Sequence, residues 1–181
     1  MRFAMVIGLI LSALAGSVHA QDIRWMPETM TPGDYVTIDQ SDGGLIHHVY
    51  AGQVGGSYVL QSFRGSAPGG EPVFTTYLDR DGNYLRWVWN DGFEVVYTPH
   101  DCTRTLGRCQ YAQVGSDGVR EVRLRITQAT RRGFEFQEYD VDGQRLFGGW
   151  IELDARGMAG DGRLDGLRGK QRFRLVRQRY Q

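Results

Sequence analysis

The sequence predicts an all-β fold: an antiparallel up-and-down meander of about 10 strands closing into a barrel. Three observations predict it. Short runs of alternating apolar and polar residues recur along the chain, tight-turn sequences rich in Asp, Asn and Gly separate them, and no segment repeats apolar residues at helical spacing over three turns. Composition agrees, with 25 glycines against 5 prolines and 41% hydrophobic residues, a balance suited to many tight turns around one core.

Residues 21–33 form an irregular lead carrying Trp25, Met26, Pro27 and Pro32. The first strand covers 34–40, with Val36 and Ile38 on one face and Tyr35, Thr37 and Asp39 on the other. Ser41-Asp42-Gly43-Gly44 turns the chain into the second strand at 45–51, where His47 and His48 must point to opposite faces. Gly55-Gly56 leads to the third strand at 57–64, and a looser loop through Pro68 precedes the fourth at 72–79.

The stretch 78–97, LDRDGNYLRWVWNDGFEVVY, holds two tight turns, Asp81-Gly82 and Asn90-Asp91-Gly92, and so supplies the fifth and sixth strands. Strict alternation puts Leu85, Trp87 and Trp89 on one face and Tyr84, Arg86, Val88 and Asn90 on the other. After Pro99, His100 and a cysteine loop, further strands are expected at 109–114, 120–127, 134–139 and 145–153. In 120–127, Val122, Leu124 and Ile126 alternate with Glu121, Arg123 and Arg125, which predicts the aliphatic face in the core and the charged face in water. Residues 154–169 are glycine-rich and lose the pattern, reading as a mobile connection with at most one weak strand. The chain closes with a strand at 172–179, where Phe173 and Leu175 point together.

Residues 79–85 and 140–146 share the pattern D-x-D-G-x-x-L, which is turn chemistry: Asp bonds its own backbone and Gly takes a left-handed conformation. Neither copy has the glycine and terminal glutamate spacing of a calcium-binding loop, so no metal is assigned.

Because nearly every link is a hairpin, successive strands should be neighbours, and closure removes the two free edges. Residues 21–101 hold 4 basic residues against 11 acidic, whereas 163–181 hold 7 basic against 1 acidic. Pairing the first strand with the last would bring Asp34, Asp39 and Asp42 to Arg172, Arg174, Arg177 and Arg179 as a charged seam. The alternative use of those four arginines is contact with an anion or a partner protein.

Residues 1–20 fit a cleavable export signal: Arg2, an apolar run from Phe3 to Ala15, and the small residues Val18 and Ala20 before a cut ahead of Gln21. The mature chain, 21–181, is then a single domain, periplasmic or secreted and monomeric. In an oxidising compartment Cys102 and Cys109, the two cysteines, are expected to form one local disulfide.

No nucleophile elbow, metalloprotease helix, phosphate loop or dinucleotide fingerprint is present, so no catalytic residue and no cofactor are assigned. The near-neutral charge offers nothing for nucleic acid, and the strands are too short to span a bilayer. In shape alone the architecture resembles a calycin or lipocalin-type barrel, which implies a non-enzymatic binding module for a small apolar or amphipathic ligand held among Trp87, Trp89, Tyr97 and Trp150. The competing expectations are an interaction or structural protein of the cell envelope with a filled core, and a hydrolase whose carboxylates or His100 sit in the barrel mouth.

Overall fold

The computed structural model describes residues 25–41, 43–166 and 169–181. The expected export signal at 1–20 and Asp42 of the expected seam lie outside the described residues. Twelve antiparallel strands form one closed barrel, each paired with its neighbours in sequence and the first closing on the last. They are β1 (Tyr35–Gln40), β2 (Gly44–Val54), β3 (Ser57–Arg64), β4 (Phe74–Leu78), β5 (Tyr84–Trp89), β6 (Glu94–Thr98), β7 (Gly107–Gly115), β8 (Gly118–Ala129), β9 (Gly133–Tyr139), β10 (Arg145–Leu153), β11 (Ala159–Gly166) and β12 (Gly169–Arg179). Among the described residues, two single 3-10 turns, Pro27–Thr29 and His100–Cys102, accompany the strands.

Strand β11 occupies the stretch that reads as a patternless connection. Its glycines are a packing requirement, because a Cβ on Gly162 would stand 2.2 Å from the Phe173 ring and one on Gly166 would stand 2.5 Å from the Phe147 Cβ. Close approach of neighbours therefore erased the apolar alternation that marks a strand in sequence.

Three of the connections are one structure repeated. Asp79, Asp140 and Asp154 each accept two backbone N–H bonds through Oδ1, from Asp81 and Asn83, from Asp142 and Gln144, and from Arg156 and Met158. In each, the glycine three residues after the aspartate sits at φ near +80°. The third copy, Asp154-Ala155-Arg156-Gly157, lacks the second aspartate of the sequence pattern, yet the geometry needs only the first.

The two ends of the barrel differ. At one end the lead folds back, and Trp25, Met30, Val36, Tyr50, Leu78 and Met158 pack into a buried cluster that closes it. Asp34, fully buried there, accepts bonds from the Thr31 and Gln181 backbone N–H groups and from Arg156 Nη1, each at 2.8 Å. One carboxylate thus ties together the lead, the β10–β11 turn and the C-terminus. At the opposite end, where β1 meets β2, exposed residues such as Arg172 ring the opening.

The seam between β1 and β12 forms, with Tyr35 opposite Arg179, Thr37 opposite Arg177 and Asp39 opposite Arg174. Asp39 reaches Arg174 at 3.7 Å, while Asp34 is committed to Arg156 instead.

Two facial assignments are corrected by the structure. A register shift between Tyr77 and Leu78 sets Leu78 opposite Tyr84 and Tyr77 opposite Arg86, so Leu85 bulges and Tyr84 turns inward beside Trp87. On β8 the expected polarity is reversed: Arg125 and Thr127 are buried inside the barrel, and Val122, Leu124 and Ile126 take the outer face. The physical reason is a matched set of interior charges, described next.

Candidate functional site

The interior is divided between a packed polar half and an open apolar half. On the β7–β9 side, Glu138 accepts from Tyr111 Oη and Arg125 Nη1 through Oε1, and from Arg123 Nη1 through Oε2, all at 2.8 Å. Arg123 also donates to Glu121 at 2.6 Å, and Arg125 donates to Thr127 at 3.0 Å. The Arg125 guanidinium lies 4.0 Å from the centre of the Phe136 ring, so its faces are covered while its edges are bonded. Two arginines against two glutamates make this cluster neutral, which is how the interior holds buried charge. Burial, then repulsion from Glu138 and the hydrogen bond to it, pushes the Tyr111 phenol up. Tyr97 is pushed up for the same first reason and then by Tyr84.

The other half is a cavity of about 370 Å³ running from the closed end to the opening. Its walls are aliphatic and aromatic, including Ile38, Ile46, Leu60, Phe74, Trp87 and Phe173. Arg104, Trp25 and Met158 stand at the closed end, and Gln40, Gln171 and Arg172 at the mouth. No Asp or Glu is among the described lining residues.

Arg104 reaches the cavity because the loop after the second 3-10 turn is pinned by Asn83. The Asn83 side-chain oxygen accepts from the Arg104 backbone N–H at 2.8 Å, and Thr103 Oγ1 accepts from the Tyr84 N–H at 2.6 Å. Its guanidinium donates to the Gly157 carbonyl at 3.3 Å and lies 5.7 Å from the centre of the Phe134 ring; Asp79 acts on it at longer range, without an ion-pair contact. Burial pushes its pKa down from the ordinary arginine value. The indole N–H groups of Trp25 and Trp87 are buried and have no acceptor among the described residues.

His48 lines the same cavity, with Nδ1 2.8 Å from Ser62 Oγ. Burial, then the neighbouring His47, pushes its pKa down to about 4, so the ring is neutral at neutral pH. A base that weak is poorly matched to drawing a proton from serine near neutrality, and Ser62 itself is fully buried. His47, on the opposite face as expected, is buried too, bonded to Thr37 and the Gly65 carbonyl.

Of the four aromatics expected at a ligand site, Trp87 lines the cavity. Trp89 packs beside it, with ring centres 5.6 Å apart, and Tyr97 belongs to the neighbouring cluster with Val95, Cys102 and Tyr111. Trp150 stands on the outer face, 40% exposed, beside a shallow groove that also includes Asp39, Arg163, Arg172 and Arg174. Cys102 and Cys109, the pair expected to form a disulfide, lie near each other but are unbonded here. The Cys109 thiol donates to the Cys102 carbonyl at 2.9 Å, and Cys102 is turned into the buried aromatic cluster.

Sequence reasoning missed Trp25, Arg104 and the Arg123–Arg125–Glu138 cluster. Trp25 lies in an irregular lead and Arg104 in an irregular loop, where no periodicity assigns a direction. The only local signal for the cluster, alternation on β8, pointed to the wrong face. Among the described residues no group of three or more His, Cys, Asp or Glu side chains is placed to hold a metal ion. No helix among them is long and apolar enough to cross a membrane.

Comparison with known families, with curated proteins and with solved structures finds no match.

Proposed function

We propose that this protein is an exported, non-enzymatic binding protein, periplasmic or secreted, that holds a small apolar or amphipathic ligand inside its barrel. The observation that carries this reading is the cavity of about 370 Å³ running from the floor at Trp25 to the mouth at Arg172. That volume falls in the range of small-molecule sites, roughly 300 to 1,000 Å³, and its apolar wall with a few polar groups is the make-up such sites share. The export part of the reading is supported by the signal-like pattern of residues 1–20.

Native mass spectrometry of the protein purified from the cell envelope tests the reading. A small mass present under gentle conditions and lost on denaturation is the expected result. The reading fails if the bare chain is recovered and apolar probes neither bind nor alter the fluorescence of the cavity tryptophans. The exposed Trp150 with Arg172 and Arg174 beside it favours one further use, contact with an envelope protein through the outer face. Substituting Trp150 and Arg174 together and comparing pull-downs tests that use without touching the cavity.

A further inference from the structure

We propose that the cavity takes an amphipathic monocarboxylate, bound head-down, with its carboxylate against Arg104 and Trp25 at the closed end and its apolar tail running toward the mouth. This rests on the reading of the cavity as a ligand site and adds the chemistry of the ligand.

The argument is one of unmatched donors. Elsewhere in the interior net charge is matched, Glu138 and Glu121 answering Arg123 and Arg125 and Asp34 answering Arg156, although the Arg123 Nε–H is itself buried without a partner among the described residues. The cavity departs from this. Its polar groups at the closed end include Tyr84, the Arg104 guanidinium, which bonds the Gly157 carbonyl and feels Asp79 without an ion-pair contact, and the Trp25 indole N–H, which has no acceptor among the described residues although Trp25 is 2% exposed. Higher on the wall the Trp87 indole N–H is also unsatisfied. A buried donor without a partner costs free energy, and a buried unpaired cation costs more.

Arg104 and Trp25 are adjacent. A Cβ placed on Gly82 would lie 2.7 Å from the Trp25 Cβ and 3.2 Å from Arg104 Nη1, so the root of the Trp25 side chain and one guanidinium nitrogen both flank Gly82. A carboxylate fits the planar fork of a guanidinium and accepts at several further positions, enough for an indole N–H. One guanidinium balances one charge, which favours a carboxylate over a doubly charged phosphate. Between floor and mouth the wall is mostly apolar, with Ile38, Leu60, Phe74 and Phe173 offering a tail apolar contact and His48, Thr76 and the Trp87 indole as its polar interruptions.

Calorimetric titration with dodecanoate, dodecanol and dodecyltrimethylammonium, each below its micelle concentration, tests the proposal. Dodecanoate is expected to bind about tenfold or more tightly than dodecanol, the size of one charge-assisted bond, and the cation not to bind. Arg104→Gln should abolish the preference for acid over alcohol, Arg104→Lys should keep much of it, and Trp25→Phe should reduce it. Arg177→Gln, on the outer face of β12, should leave it unchanged. Equal binding of acid and alcohol by the unaltered protein overturns the head-down anion while leaving the binding reading intact, as does preference for the cation. Failure of all three to bind overturns both.

Discussion

Glu138 and Arg125, opposite each other on β9 and β8, share a 2.8 Å hydrogen bond inside the barrel, each at most 5% exposed. This pair explains why an alternating strand is inserted with its charged face inward. Once one carboxylate answers two arginines and a tyrosine, the interior can bury them, whereas any one alone would be uncompensated.

Glu138→Ala should therefore destabilise the protein by about 3–5 kcal/mol, because it leaves Arg123 and Arg125 buried without their shared carboxylate. The double substitution Arg125→Met with Glu138→Leu should recover part of that loss, since apolar groups of similar volume need no partner. Urea unfolding of the single and double variants measures both. A single variant as stable as the parent would contradict the account.

Acid should weaken the fold through His48. Its pKa falls from 6.5 in the unfolded chain to about 4 in the barrel, so between those values the unfolded state binds the extra proton. Stability is complete above the unfolded value and declines as pH falls through that window, by at most about 3 kcal/mol from this group. Comparing unfolding across that window for the parent and His48→Phe should show a shallower slope in the variant.

Gly82→Ala should loosen the closed end. Gly82 sits at φ +81°, and an added Cβ would lie 2.7 Å from the Trp25 Cβ. Backbone strain alone costs about 1–2 kcal/mol, and the displaced indole adds to it. A melting temperature lower by several degrees is expected, with increased quenching of the Trp25 emission by acrylamide.

Trp150 should be the tryptophan that solvent sees. Iodide should quench a fraction of the native emission, and Trp150→Phe should remove that fraction while leaving probe binding in the cavity unchanged. Loss of binding in this variant would place the ligand on the outer groove.

The thiols of Cys102 and Cys109 should react slowly in the folded protein, because burial first, and for Cys109 also the bond to Cys102, pushes both upward. The thiolate is the nucleophile. Iodoacetamide at pH 8 should label the folded, reduced protein more slowly than the same chain in urea, as followed by intact mass. Equal rates would show that the cysteine loop opens readily.

The all-β class, the hairpin order and closure of the first strand on the last were legible in the chain. They depend on local chemistry, namely turn residues at positive φ and alternation with a period of two, and on the connectivity that short hairpins enforce. The Asp39–Arg174 contact was legible for the same reason, since pairing β1 with β12 sets it. Tertiary structure alone decided which face of each strand turned inward. A bulge at Leu85 moved Tyr84 to the side of Trp87, and a carboxylate on the neighbouring strand let Arg125 enter the core. Alternation says that two faces differ, but which of them is inside depends on partners distant in sequence. The cavity has the same origin. It is the space left between side chains of many strands, with Trp25 and Arg104 delivered to its floor by irregular segments whose paths no local pattern encodes.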